Sequence, residues 1–162
     1  MKLIKKIIWL LIIALIVIQF FHPEKNISAD LSPNHISQKF SFPEDVKQII
    51  STSCYDCHSN NTHYPWYFSV QPIAWWLADD IAEGKKHLNF DEFSSYSLRR
   101  QYKKFEDIGE ELKDDEMPIG TYAFIHHTAV LSPEQKEKII QWSSERLNEM
   151  KATYPADSLL KK

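Results

Sequence analysis

From residue 41 onward, apolar positions recur at steps of three and four, the period of helices that bury one face. Val46, Ile49 and Ile50 share such a face with Ser53, behind Ser41-Phe42-Pro43-Glu44, which has the form of a capping box with proline in the first turn. This pattern predicts a first helix that delivers the chain to Cys54. A second helix is predicted from Pro72 through Ile73, Trp76, Leu77 and Ile81 to Gly84, a residue suited to a left-handed C-terminal cap. Leu98, Tyr102, Phe105, Ile108 and Leu112 step by four, three, three and four, which predicts a third helix over Ser95–Lys113. Ser132-Pro133-Glu134-Gln135 repeats the capping signal and opens a last helix with Ile139, Ile140, Trp142, Leu147 and Met150 on its apolar face, ending near Lys151. No sustained alternation of the strand type is present, and the expected fold class is all-α.

The beginning of the chain follows another rule. Ile7 to Phe21 is apolar apart from Gln19, and Lys2, Lys5 and Lys6 precede it. Charge followed by an apolar stretch is the order of an export signal, and the lysines place the remainder outside the cytoplasm. Residues 1–21 are therefore read as a signal-anchor or transmembrane segment, with retention favoured over cleavage at Ile27-Ser28-Ala29. The expected location is the cell inner membrane with the domain facing the periplasm, or the periplasm if the signal is removed. Residues 22–40 are mostly polar, include Pro23 and Pro33, and read as a linker. That leaves residues 41–151 as the domain and 152–162 as a C-terminal tail.

Composition narrows the picture. The chain has 162 residues, 43% hydrophobic and only three glycines, which suits one helical domain with an appended segment. The formal net charge of −3 conceals an asymmetry, because residues 41–162 hold 14 basic and 20 acidic side chains, a net of −6. An acidic domain excludes nucleic acid as the expected partner, since phosphates demand a basic surface, and favours a protein partner with a basic face.

The two cysteines stand in Cys54-Tyr55-Asp56-Cys57-His58. Two thiols one helical turn apart can add to the two vinyl groups of a haem, and the adjacent imidazole can reach the iron from the same side. A structural disulfide, a thioredoxin-like redox pair and half of a zinc site are the competing readings. The redox pair wants a βαβ context that the surrounding pattern lacks, and zinc wants a second ligand pair. The expected cofactor is one covalent haem c, with His58 as an iron ligand.

Met117 is the leading candidate for the opposite axial position, in Asp115-Glu116-Met117-Pro118 just after the third helix. His126 and His127 are the reserves, and His63 stands too near His58 to cross easily to the other haem face. Tyr64-Pro65-Trp66-Tyr67-Phe68, Trp75 and Trp76 form an aromatic tract that suits wrapping a flat macrocycle or filling an ordinary core. Seven acids between Glu106 and Glu116 form either a solvated helix face or a docking patch for a basic redox partner.

Together the Cys54-to-His58 motif, Thr62-His63-Tyr64-Pro65-Trp66-Tyr67, Gly84 with Asn89-Phe90, Met117-Pro118, and Leu131-Ser132 leading to Trp142 resemble the haem-binding domain family of small bacterial c-type cytochromes. The likeness covers roughly residues 40–145, and Gln19-Phe20 to Asn26 also resembles the anchor end of such proteins. The resemblance implies a class I-like monohaem cytochrome c domain, with His58 proximal and Met117 matching the distal methionine. The whole expectation is a cytochrome c-like helical domain around one covalent haem, with an N-terminal membrane helix, that carries electrons and is not an enzyme. The competing function is a haem-based gas or peroxide sensor, or an enzyme, with an open distal site.

Overall fold

The computed structural model describes residues 2–28 and 30–160, and Ala29 of the small-residue site lies outside the described residues. Eight α-helices and no strand are found among them: α1 Lys2–Ile18, α2 Glu44–Ser53, α3 Tyr55–His58, α4 Ile73–His87, α5 Leu98–Lys113, α6 Gly120–Ile125, α7 Pro133–Thr153 and α8 Ala156–Leu159. The all-α expectation holds.

The expected N-terminal membrane helix does not. No helix among the described residues is long and apolar enough to cross a membrane. α1 has 17 residues, of which Lys2, Lys5 and Lys6 occupy the first turns. At 1.5 Å per residue its length is about 25 Å, short of a hydrocarbon core of about 30 Å. Its end is set by polar contacts: the amide of Gln19 donates to the carbonyls of Leu15 and Gln71, and its Oε1 accepts the Gln71 N–H at 2.9 Å.

The core lies between α5 and α7, closed by α2 on one side and α8 on another. Tyr102, Phe105 and Leu112 bury the predicted stripe of α5, while Leu98 and Ile108 pack at its margin. Phe40, Phe93, Phe105, Trp142 and Phe42 form a run of edge-on and tilted aromatic contacts at 4.9–5.8 Å, the arrangement that ring quadrupoles favour. Leu159 of α8 is buried in the same cluster.

Helix ends differ from the sequence reading where tertiary contacts compete for the capping groups. Ser132 and Gln135 make the predicted capping box at the start of α7. Ser41 makes none, and α2 begins at Glu44 with no side-chain cap. The Ser41 carbonyl is taken instead by the Trp142 indole N–H at 3.0 Å and by Arg146 at 2.9 Å, which ties the entry of α2 to α7. α5 starts later than predicted, behind a 3-10 segment over Phe90–Ser95, with Ser97 as its cap. Gly84 is not a left-handed cap: no glycine has positive φ, and α4 continues to His87.

Residues 22–28 and 30–40 run along the domain. Asn26 donates to the Ser59 carbonyl and Thr62 hydroxyl and accepts from Lys85, while its N–H donates to Tyr64 at 2.6 Å. The buried His35 ring contacts Tyr55, one residue after Cys54.

Candidate functional site

α2 hands the chain to α3 without a break in hydrogen bonding. The Cys54 N–H donates to Ile50, and the Cys57 and His58 N–H groups both donate to the Cys54 carbonyl at 3.2 and 2.9 Å. This single turn sets Cys54, Cys57 and His58 on the wall of one cavity of about 380 Å³, within the range of cofactor-sized pockets. Its lining is mainly apolar and draws on Ile50 of α2, Phe90 of the 3-10 segment, Ile108 and Leu112 of α5, Leu131 just before α7, and Ile139 of α7.

α4 supplies the opposite support for the motif. A methyl group added at Gly84 would stand 2.7 Å from the Cys57 carbonyl oxygen and 3.1 Å from its Cβ. Glycine is required there by this close approach, because any side chain would push α4 off the cysteine turn. Just beyond α4, the Leu88 carbonyl accepts from His58 Nδ1 at 2.9 Å. That bond places the proton on Nδ1 and leaves the Nε2 lone pair free, the usual way a protein orients a ligating imidazole. Burial also holds His58 below the ordinary histidine value, so the ring stays neutral as a ligand must.

Burial pushes the Cys54 thiol up to about 12 and the Cys57 thiol likewise, Asp56 and Asp80 adding to the second. A reactive redox pair needs a depressed thiol pKa, and this environment works in the opposite direction. Among the described residues no group of three or more His, Cys, Asp or Glu side chains gathers that could hold a metal ion. Of the residues lining the cavity, His58, His87 and Met117 carry groups that could serve the iron of a macrocycle that brings its own equatorial ligands.

Met117 lines the same cavity. The turn that brings it there is made by Asp115, at φ 60°, with the Glu116 N–H donating back to the Glu111 carbonyl at 3.0 Å. This is the Schellman pattern, with an aspartate in the left-handed position where glycine is commoner. α5 thus ends at Lys113, as the sequence predicts, and this turn rather than Pro118 closes it.

The reserve histidines fall elsewhere. His126 is engaged by Tyr67 at 2.7 Å and by the Tyr122 carbonyl at 3.2 Å, and neither it, His127 nor His63 lines the cavity. His87 does line it, at the end of α4, with Nε2 2.9 Å from Glu83. The aromatic tract also sits apart: Trp66, Trp75 and Trp76 are exposed, and the aromatic side chains of the cavity wall are Phe90 and Tyr122. Tyr122 donates to Asp56 Oδ2 at 2.6 Å. Neither Leu88, which acts through its carbonyl, nor Tyr122 carries a sequence signal, since each meets the motif only across 30 and 66 residues of chain.

A family model described as a haem-binding domain matches residues 13–145 of the chain. No curated protein and no solved structure matches it.

Proposed function

The chain belongs to the haem-binding domain family, and on that premise we propose that it is a monohaem c-type cytochrome of the bacterial cell envelope, working outside the cytoplasm as a one-electron carrier. One observation carries this reading: both thiols, a correctly oriented imidazole and a thioether line the same apolar cavity, although Met117 is 59 residues from His58 in the chain. In this reading each thiol adds across a vinyl double bond, sulfur taking one carbon and the thiol hydrogen the other, with no electrons left over. Cys54 and Cys57 would so hold the group in place, and His58 Nε2 and the Met117 sulfur would be the groups offered to its iron. The bound haem supplies the redox chemistry, a change of one electron at iron.

The protein's own residues then do three things. The Leu88 carbonyl keeps the imidazole aligned, the apolar part of the wall offers contact to a macrocycle, and Met117 would compete with a gas or peroxide for the iron. Sulfur ligation favours ferrous iron, which suits a carrier of relatively high potential. The leader-like order of Lys2, Lys5, Lys6 and the apolar run supports export, where haem is attached covalently.

A pyridine haemochrome spectrum and an intact mass of protein made with export and maturation machinery test the attachment. One covalent haem per chain is expected, lost in Cys57→Ala, and a bare polypeptide mass overturns the reading. Ferrous protein should bind carbon monoxide slowly and Met117→Ala rapidly. Rapid binding by the unaltered protein would instead favour a gas or peroxide sensor.

A further inference from the structure

The segment that carries Met117 is held in an unusual way. α6, which follows it, buries none of its side chains, and Phe124 and Ile125 point to solvent. Apolar contact holds the start of this stretch, where Met117 packs against the core and Pro118 and Ile119 line the cavity. Beyond it, α6 is tied to the domain by polar links. Tyr122, the one residue of α6 on the cavity wall, donates to Asp56 Oδ2 at 2.6 Å, and Asp56 lies between the two cysteines. The other Asp56 oxygen accepts the His63 N–H at 2.8 Å, so the carboxylate is aimed from both sides. The Tyr122 ring stacks on His126 with centroids 4.0 Å apart. His126 Nδ1–H donates to the Tyr122 carbonyl, which leaves Nε2 to accept the Tyr67 hydroxyl at 2.7 Å.

We infer that Tyr122 and Asp56 form a latch that closes the Met117–His126 segment onto the attachment turn and so governs access to the iron position facing His58. They are positioning residues: neither touches iron, and they act by holding the thioether where it competes with outside ligands. The inference rests on the proposed function for what the latch protects, and on the contacts above for its existence. A hydrogen bond to a charged group is stronger than a neutral one, and with no fully buried side chain in α6 this bond supplies much of that helix's hold on the attachment turn.

Tyr122→Phe tests it, since the ring and its stacking on His126 remain and only the hydroxyl is lost. The holoprotein should keep its covalent haem by haemochrome. Carbon monoxide should then bind the ferrous form roughly tenfold faster, and the backbone amides of residues 119–126 should exchange hydrogen roughly tenfold faster, with α5 and α7 unchanged. Asp56→Ala should give the same two effects, and the double variant no more than either single one. Wild-type rates of both binding and exchange in Tyr122→Phe overturn the latch, as do fully additive effects in the double variant. If Met117→Ala binds carbon monoxide as slowly as the unaltered protein, methionine ligation fails, while faster exchange of residues 119–126 in Tyr122→Phe still supports the latch.

Discussion

Gly84 shows how much one missing methyl group can decide. It lies inside α4, where glycine weakens a helix, yet the Cys57 carbonyl approaches so closely that no other residue fits without moving α4. Gly84→Ala gains helix propensity worth about 1 kcal/mol and loses packing worth about 1–3 kcal/mol, because the clash is with backbone. A net loss of stability, together with lower haem incorporation, is the expected outcome in thermal unfolding and haemochrome assays. His35 is a second residue whose environment sets its behaviour. Its Nδ1 accepts the Ser37 N–H at 3.1 Å, so the proton sits on Nε2, which faces Tyr55 at 2.9 Å with Asp91 at 4.0 Å. Burial lowers its pKa below 6.5, against the pull of Asp91 and with a smaller push from Lys47. A neutral ring is thus preferred in the fold. Its contribution to stability is fully present above about pH 6.5 and declines as pH falls below that value toward the lower folded pKa. Denaturant midpoints measured between pH 7.5 and 5 should fall on acidification, and the fall should be smaller in His35→Gln.

Helix ends separate the local from the non-local. Ser132, Pro133 and Gln135 cap α7 as the local pattern dictates, because nothing else competes for those groups. Ser132→Ala should cost about 1 kcal/mol, read as a lower denaturant midpoint with unchanged m-value. Ser41 has the same kind of pattern and a different fate, since Trp142 and Arg146 of α7 claim its carbonyl from about a hundred residues away. Trp142 is 2% exposed and meets Phe42 and Phe105 as well. Its replacement by alanine should cost about 3–5 kcal/mol, enough to leave little folded protein at physiological temperature, as far-ultraviolet circular dichroism would report. The stripe of α5 and the apolar face of α7 were legible because period alone determines which face is buried. α3 and α6 were not, since helices of four and six residues are too short to show a period and depend on what lies against them.

Across the whole molecule the charges are not spread evenly around the cavity. Asp56, Asp80, Glu83, Asp107 and Glu111 stand on its wall against Lys104 and His87. An acidic mouth suits a partner with a basic face, and electron-transfer rates with a basic redox protein should fall steeply as salt rises from about 0.05 to 0.5 M, with little change for a neutral small-molecule reductant. The sequence by itself determined the all-α class, the buried stripes of α2, α5 and α7 and the close association of Cys54, Cys57 and His58, because each depends on neighbours within one or two turns, whereas α4 buries Ala74 and Ile81 and leaves Ile73 and Trp76 of its predicted face exposed. It also suggested Met117, but through a proline, whereas the turn that directs it is made by Asp115. Length misled the reading of the N-terminus: an apolar run counted along the chain became a 17-residue helix with lysines in its first turns. Only the tertiary structure decided that the thioether and the imidazole share one cavity, that Leu88 orients His58, that Tyr122 meets Asp56, and that Trp66, Trp75 and Trp76 are exposed. Those contacts join residues 30 or more positions apart, and hydrophobic period carries no information about which faces meet.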